Sequence, residues 1–380
     1  MGVILLIVII TSELKRLTKH NMKILIIRFS SIGDIVLTTP VVRCVKQQTD
    51  CEIHFLTKKN FEKILENNPH VKKVWTIKKN VSEIFFEKNI LKILFQNYFL
   101  KKILKKYFKK KSENYFRNNS GIENENFDVI IDLHNNLRSR LISFLLGAKT
   151  FRFDKLNFEK WLLVNFKINR LPKIHIVDRY LKTIVSLNVK NDGAGLDYFI
   201  PDKDVVNIPA LTNYFIYPNG YIAFVIGAAH ATKRLPENKI VEICKKINLP
   251  IFLLGGKEDN ERGEAIKSNC GVHVLNLCGQ LNLNQSASVV QQAKQIITHD
   301  TGLMHIAAAF NKDIISVWGN TVPEFGMTPY LEDKKIQEKA AEQMMEVHGL
   351  SCRPCSKIGF NVCPKGHFNC MNLQELRHKN

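Results

Sequence analysis

The sequence lacks the long apolar run of a membrane-spanning chain. Its apolar start, residues 1–10, is shorter than the ~20 residues that cross a bilayer, and no basic residue precedes it. We therefore predict no secretion signal. Because Met22 directly precedes the first strong strand, residues 1–21 are interpreted as a weakly structured extension or a misassigned start, with a loose membrane-touching peptide as the alternative.

Acidic residues are scarce: 35 Asp and Glu stand against 55 Lys and Arg, which gives a net charge of +20. This excess is typical of proteins with an anionic partner, such as nucleic acid, phosphorylated lipid or nucleotide. Residues 78–117 contain 12 Lys or Arg and 3 Glu, so +9 of the charge lies in that stretch. Residues 88–111 combine lysines with two apolar helical stripes, a pattern that suits an anionic membrane surface or a solvated helix packed on its own domain. No recognised nucleic-acid-reading module is present, so we predict no nucleic-acid partner.

The glycine fingerprint Gly-x-Gly-x-x-Gly and the Walker pattern are also absent, which disfavours a Rossmann dehydrogenase. What is present is a globular composition, 45% hydrophobic and 24% charged, in a chain too long for one ordinary core. The length of 380 residues therefore predicts two domains.

Short apolar strands alternate with helical patterns along most of the chain, which predicts the α/β class with parallel sheets. Strands are predicted at 23–29, 52–57, 74–77, 127–133, 221–226, 250–254, 272–276, 295–298 and 313–317. Helices are predicted at 35–47, 61–67, 137–146, 176–186, 238–246, 260–267, 285–293 and 302–309. The Pro- and Gly-rich composition of residues 190–220 places the domain boundary near 205. Ligands of such sheets bind beyond the carboxyl ends of the strands, which predicts a site in the cleft between the domains.

The first strand ends in Ser-Ser-Ile-Gly-Asp at residues 30–34. Gly33 allows a tight turn after Ser31, and Asp34 falls near a helix N-terminus, where negative charge is favoured. From this motif alone, Asp34 is either a helix cap or a general base that faces the cleft.

The segment Asp300-Thr301-Gly302-Leu303-Met304-His305 follows a strand and opens an alanine-rich helix. Backbone N–H groups, the Thr301 hydroxyl and the helix dipole converge there, as in an anion site, although a capped helix packed on the sheet has the same pattern. His305 is either a packing residue or a donor to a phosphate.

Two further loops follow strands of the second half. Residues 227–236 form a small-residue loop with two cations, and Lys233 there suits a diphosphate. Glu258, in Gly-Gly-Lys-Glu-Asp at 255–259, is placed either to accept hydrogen bonds from sugar hydroxyls or to be a solvated loop acid.

Together, SSIGD at 30–34, Lys-x-x-Pro at 233–236, GGKED at 255–259 and DTGLMHIAAA at 300–309 resemble the ADP-heptose:lipopolysaccharide heptosyltransferase family. The resemblance covers roughly residues 22–350 without the lysine-rich insertion. It implies two Rossmann-like domains of the GT-B type that face each other across a cleft. The expected division is an extension at 1–21, an acceptor-binding domain at 22–205 with an insertion at about 85–124, a nucleotide-sugar-binding domain at 206–345 and a Cys-rich tail at 346–380.

The same resemblance implies an inverting transfer in which Asp34 deprotonates the acceptor hydroxyl and no metal is required. It implies that the donor is held by Lys233, Glu258, Asp300, Thr301, Gly302, Leu303 and His305, and that Ser31 and Gly33 form the turn before the base. The implied donor substrate is ADP-heptose, and the implied acceptor is a phosphorylated glycolipid of the lipopolysaccharide inner core. The expected location is the cytoplasmic side of the inner membrane, contacted through the basic insertion. Leu235 departs from the family, whose members often carry Trp there.

Four cysteines at the end of the chain, Cys352, Cys355, Cys363 and Cys370, have a spacing that can surround a structural zinc ion. Reduced cysteines and disulfides are the alternatives. The other five cysteines occur singly in apolar or loop settings and are expected to be reduced.

Two other functions remain open. The first is a related GT-B transferase with a different nucleotide sugar or surface-glycan acceptor. The second is a non-catalytic protein that binds anionic lipid, which would explain the charge but not the motifs at strand ends in both halves.

Overall fold

The computed structural model describes residues 22–77, 122–212 and 218–375. The predicted extension at 1–21 lies outside these residues, as does the basic insertion apart from a short 3-10 turn at Ile122–Asn124. No helix in the described ranges is both long and apolar enough to cross a membrane.

The first sheet has five parallel strands in the order β3-β2-β1-β4-β5. Its strands are β1 (Met22–Ile27), β2 (Cys51–Lys58), β3 (Lys73–Ile77), β4 (Val129–Asp132) and β5 (Lys149–Arg152). Strand β1 pairs on both edges, with Ile24 opposite Ile53 on one side and Val129 on the other. A strand covered on both faces needs a continuous apolar run, as β1 has at residues 24–27.

The second sheet has six parallel strands in the order β11-β10-β9-β6-β7-β8. Its strands are β6 (Ile222–Val225), β7 (Ile251–Leu254), β8 (Val274–Asn276), β9 (Gln295–His299), β10 (Asp313–Trp318) and β11 (Met344–Glu346). The strand order reverses between β6 and β9, so the connections that follow these two strands diverge to opposite sides. The predicted α/β class with two parallel sheets is confirmed.

Helices connect the strands as parallel pairing requires. They are α1 (Ile32–Val36), α2 (Thr39–Gln48), α3 (Leu137–Leu146), α4 (Asn157–Phe166), α5 (Ile176–Leu181), α6 (Ile208–Leu211), α7 (Glu237–Lys245), α8 (Asn260–Cys270), α9 (Leu283–Gln292), α10 (Gly302–Ala309), α11 (Lys334–Glu342) and α12 (Asn369–Asn372). The predicted bounds of α3 and α10 are confirmed. Helix α3 begins at a capping box between Asn136 and Ser139 and ends at Gly147, whose φ is 75°.

The single helix predicted at 35–47 is wrong, because the chain forms α1 and α2 with a break between them. Pro40 has no N–H to continue the ladder from α1. The hydroxyls of Thr38 and Thr39 donate to the carbonyls of Ile35 and Val36, at 2.6 and 2.7 Å, near the end of α1. Residues 59–64 form a 3-10 helix where an α-helix was predicted at 61–67.

The described residues group by contact into two units. The first comprises residues up to 31, 40–154 and 179–192, and the second comprises 32–39, 155–178 and 193 onward. The short segment 32–39, which carries Gly33 and Asp34, thus belongs with the second unit although it follows the first strand of the first sheet. The assignment of acceptor and donor to separate domains with a boundary near 205, and the cleft between them, stay predictions.

Each sheet has its own apolar core. In the first, buried residues such as Leu25, Leu56 and Ile130 pack together, and in the second Phe224, Leu253 and Ile297 do the same. Fully burying a side chain of this size contributes about 1.5–3 kcal/mol, so these two cores hold the strands whose ends carry the polar loops.

Candidate functional site

Three loops of the second unit leave neighbouring strands at the same edge of the sheet. The loop at 227–233 follows β6, the turn at 255–259 follows β7, and the segment at 300–302 follows β9. Because β7, β6 and β9 are adjacent and parallel, their carboxyl ends share one edge. The three sequence motifs predicted to bind the donor therefore lie side by side.

Lys233 and Asp300 form an ion pair across the point where the strand order reverses. The Nζ atom of Lys233 lies 2.5 Å from Oδ2 of Asp300, and their side chains are 16% and 13% exposed. Thr321 donates to the same carboxylate oxygen at 2.9 Å. Two donors on one oxygen fix the position of the Asp300 carboxylate. The carboxylate in turn fixes the Lys233 ammonium group at the carboxyl ends of β6 and β9.

Helix α10 begins at this pair without a side-chain cap. Thr301 is its N-cap residue and makes no cap hydrogen bond, and its hydroxyl lies 3.3 Å from that of Thr298. Gly302 and Leu303, the first residues of the helix, are half-buried. The first N–H groups of a helix have no partner within it, so this start can bind an anion.

His305 lies in the first turn of α10 and is almost fully buried. Burial lowers its pKa to about 4, although the nearby Asp300 and Asp34 carboxylates act in the opposite direction. Its ring is therefore uncharged at neutral pH, and its Nδ1 atom has no hydrogen-bond partner among the described residues. A neutral imidazole can donate one hydrogen bond to a ligand, but it supplies no positive charge.

Helix α1 packs directly on the start of α10. A Cβ atom on Gly33 would lie 2.4 Å from Cδ2 of His305, and one on Gly302 would lie 2.7 Å from Cβ of Ile32. Glycine is thus required at both positions because helices α1 and α10 approach each other closely, and not because of the backbone conformation. The contact places Asp34, which is half-buried, close enough to act electrostatically on His305, while Ser31 is exposed before the helix.

The turn after β7 is fixed by Asp259. The sequence motif at 255–259 contains this residue, but only its neighbour Glu258 was predicted to have a role. Its buried carboxylate accepts a hydrogen bond from the N–H of Gly256 at 2.9 Å and lies 3.5 Å from a guanidinium nitrogen of Arg234. A Cβ atom on Gly227 would lie 2.3 Å from the same carboxylate, so the loops after β6 and β7 meet at this residue. The sequence could have indicated Asp259, since it is the last residue of the motif at 255–259.

Glu258 is exposed, next to the buried Asp259. Its carboxylate covers Gly256, where an added Cβ would lie 2.3 Å from Oε2 of Glu258. The side chain is therefore available at the carboxyl edge of β7, the position from which a ribose could be bound.

Two buried groups support the loop after β6 and were not predicted from the sequence. His299 accepts a hydrogen bond from the backbone N–H of Leu235 at 2.9 Å, and burial lowers its pKa to about 3. Arg262 donates to the carbonyls of Ile226 and Leu235. Leu235 itself is fully buried, so the position that departs from the family lies in the core.

The structural zinc site, one of the alternatives predicted for the cysteine-rich tail, gains no support from the described residues. Within the described residues, no group of three or more His, Cys, Asp or Glu side chains could hold a metal ion, so the predicted structural zinc is not supported. Spacing along the chain does not fix the direction of the thiols. Cys355 and Cys370 have raised pKa values, chiefly because of burial, and Cys352 lies 3.8 Å from Nε2 of His367.

The tail instead packs against the loops that are predicted to bind the donor. The backbones of Thr232 and Phe360 are joined by a hydrogen bond of 3.1 Å, and the Thr232 hydroxyl accepts from the N–H of Phe360 at 2.8 Å. Arg353 donates to the carbonyls of Gly319 and Thr321, at 2.7 and 3.0 Å. Thr321 also donates to Asp300, so the tail supports the ion pair through one intervening residue.

Comparisons with known proteins identify the family. The model of glycosyltransferase family 9 (heptosyltransferase) matches residues 116–355. The chain is 25% identical over 322 residues to lipopolysaccharide heptosyltransferase 1 of Campylobacter coli, an alignment that covers 79% of this chain and 84% of that protein.

Two solved structures have the same fold. The family 9 glycosyltransferase of Veillonella parvula aligns with a TM-score of 0.59 and 17% identity, covering 80% of this chain and 83% of that one. The Escherichia coli heptosyltransferase WaaC with ADP-2-deoxy-2-fluoro heptose aligns with a TM-score of 0.55 and 22% identity, covering 80% and 90%. The likeness bears out the predicted GT-B fold class. With more than half of its length matched by the family model, the chain belongs to glycosyltransferase family 9, the heptosyltransferases.

Proposed function

We propose that this enzyme transfers heptose from ADP-heptose to the inner core of lipopolysaccharide in one inverting displacement, with Asp34 as general base. The family and the Campylobacter coli relative, whose name specifies lipopolysaccharide, support the acceptor class. The Escherichia coli structure with an ADP-linked fluoroheptose supports the donor class.

The observation that carries the proposal is the pair of Lys233 and Asp300 at the uncapped start of α10. The ammonium is held in place before substrate arrives, next to N–H groups at the start of the helix. Such preorganised positive groups stabilise charge that develops on a leaving group. The pyrophosphate of the donor would lie on Thr301, Gly302 and Leu303, within reach of Lys233 and flanked by Asp300 and His305.

In the reaction, Asp34 takes the proton from an acceptor hydroxyl and the oxygen forms a bond to the anomeric carbon. The bond from that carbon to the ADP oxygen breaks, and both of its electrons leave with ADP, so the configuration inverts. Lys233 and the helix N–H groups neutralise the negative charge on ADP. The contact of Gly33 with His305 supports this role, because it holds Asp34 at the helix start where the donor would bind.

Glu258 would accept hydrogen bonds from the ribose hydroxyls of the donor. Its exposed position at the edge of β7, beside the fixed Asp259, supports that role. Ser31 and Gly33 form the turn that presents the base. The residues of this reaction need no metal.

The acceptor is a phosphorylated glycolipid, so the enzyme would act at the cytoplasmic face of the inner membrane. The net charge of +20 supports an anionic surface as partner. The first domain would bind the acceptor and the second the nucleotide sugar.

Thermal unfolding with nucleoside diphosphates and their sugars tests the donor assignment. A ligand that binds only the folded state raises the melting temperature as its concentration exceeds its dissociation constant. We expect ADP and ADP-heptose to stabilise the protein more than UDP, GDP or their sugars. A preference for UDP or GDP would instead favour a related GT-B transferase with another donor.

A further inference from the structure

Helix α4 presents three large aromatic side chains to solvent. Phe158, Trp161 and Phe166 are 62%, 48% and 57% exposed. The rings are neighbours: Phe158 and Trp161 are stacked with centroids 6.1 Å apart, and Trp161 and Phe166 meet edge to face at 5.2 Å. We call this surface the α4 aromatic face.

The opposite side of the helix is anchored in its own unit. Leu163 is buried against Val322 and Phe325. Just beyond the helix, the Nζ atom of Lys167 donates to the carbonyls of Val164 and Pro354, both at 2.7 Å. The aromatic face is therefore held outward by a packed helix, and contiguous exposed apolar surface of this kind marks an interaction site.

Basic residues outnumber acidic ones in the segment that carries this face. Residues 155–173 contain one acid, Glu159, and five basic residues, which are Lys155, Lys160, Lys167, Arg170 and Lys173. Arg170 and Lys173 are exposed, as is Ile168 between the helix and these cations. Exposed aromatic rings in a segment rich in Lys and Arg suit the boundary of an anionic bilayer, where rings sit at the headgroup level and cations meet phosphates.

We propose that the α4 aromatic face docks this enzyme on an anionic bilayer surface. The face belongs to helix α4, which lies outside the predicted insertion at about 85–124 in the sequence. The choice of lipid as partner rests on the proposed glycolipid acceptor. Docking itself is measured without donor or acceptor, so failure of docking and failure of transfer are separate results.

Trp161 reports on the docking directly. The sequence has three tryptophans, and the other two, Trp75 and Trp318, are buried. With vesicles of phosphatidylglycerol and phosphatidylethanolamine, we expect the tryptophan emission to shift to shorter wavelength and lipids brominated on their acyl chains to quench it. Vesicles of phosphatidylcholine should give a much smaller change. Co-sedimentation with the anionic vesicles and no change in Trp161 emission would overturn the proposal, because the protein would then bind through another surface.

Substitutions on the α4 aromatic face test the docking proposal further. The double substitution F158S/F166S should weaken binding to anionic vesicles by about tenfold or more, since it removes two of the apolar groups that partition into the interface. The matched control is V272S, which removes a fully exposed apolar side chain elsewhere in the same unit. Equal binding by F158S/F166S and the control would refute the docking surface.

The cations are tested in the same way. R170E/K173E should weaken binding and reduce its dependence on salt, whereas K334E/K335E, at exposed positions of α11, should not. Melting temperatures within a few degrees of the parent would show that all variants fold. If light scattering shows a dimer that F158S/F166S abolishes, while vesicle binding is unaffected, the face belongs to a protein interface and the proposal is wrong.

Discussion

Gly33 lies directly against the imidazole of His305, so closely that a Cβ atom added to the glycine would lie 2.4 Å from Cδ2 of the histidine ring. This contact joins the short helix α1 to the start of α10. It brings Asp34, the predicted general base, to the start of α10, where the pyrophosphate is predicted to bind. The proposed transfer chemistry depends on this approach.

Gly33→Ala should disrupt the approach. Overpacking of this kind typically costs about 1–3 kcal/mol, so the free energy of unfolding should fall by that order and the transfer rate should fall as Asp34 moves. The measurement is denaturant unfolding of Gly33→Ala, of His305→Ala and of the double variant. The two effects should be strongly coupled, because loss of the ring makes room for the methyl group. Simple additivity would show that the clash with His305 is not the cause.

Acid should destabilise the fold through its two buried histidines. Burial lowers the pKa of His305 to about 4 and that of His299 to about 3, against an ordinary value of 6.5. Between pH 6.5 and these values the unfolded chain binds protons that the folded chain does not. The free energy of unfolding should therefore fall as pH falls through this window, by up to about 1.4 kcal/mol per pH unit for each histidine, and these two histidines should add no slope above it.

The variant His305→Gln isolates one of these contributions. Carboxylates titrate in both proteins, so their contribution to the pH dependence of the unfolding free energy cancels when parent and variant are compared. Urea unfolding from pH 7 to pH 4.5 should give a shallower dependence for His305→Gln. Identical slopes would mean that His305 is not held neutral by burial.

Lys233→Ala should lower kcat by about 10²–10³, because it removes a preorganised cation from the departing diphosphate. Among the residues that the structure describes, the Thr321 hydroxyl then remains as the donor to Oδ2 of Asp300. Lys239→Ala is a suitable control, since that lysine pairs with Glu242 on helix α7. Steady-state rates with ADP-heptose measure the effect, and a rate equal to that of the control would remove Lys233 from the site.

Asp259→Ala should act on the donor and on stability together. The carboxylate joins the loops after β6 and β7 through Gly256 and Arg234, and the guanidinium partner is partly exposed. A loss of about 1–3 kcal/mol in unfolding free energy and a raised KM for the donor are expected. Glu261→Ala, on the exposed start of α8, should change neither quantity. A normal donor KM in Asp259→Ala would separate this turn from donor binding.

Sequence was most informative where local signals agree. Helix α10 could be predicted to the residue because an apolar strand, a polar turn and a small-residue helix follow each other directly. Helix α4 was not predicted, since Phe158, Trp161 and Phe166 place apolar residues on its exposed face as well as its buried one and so obscure the helical period.

Long-range pairings could not be predicted from local patterns. The residues SSIGD indicate a turn, but only the folded chain shows that Gly33 meets His305 across more than 270 residues of sequence. Asp259 and Arg234 are charged residues that local pattern assigns to solvent, and the burial of Asp259 follows from two loops that converge. The four tail cysteines have metal-like spacing, yet the described part of the tail is held by backbone and arginine hydrogen bonds.

The most direct test of the proposed mechanism is the transfer rate of Asp34→Asn with purified ADP-heptose and glycolipid acceptor. The amide keeps the size of the carboxylate but cannot accept the proton, so kcat should fall by about 10²–10⁴ while ADP-heptose binding, measured by calorimetry, changes little. Transfer at close to the parent rate by Asp34→Asn, with donor binding intact, would contradict the assignment of Asp34 as the base.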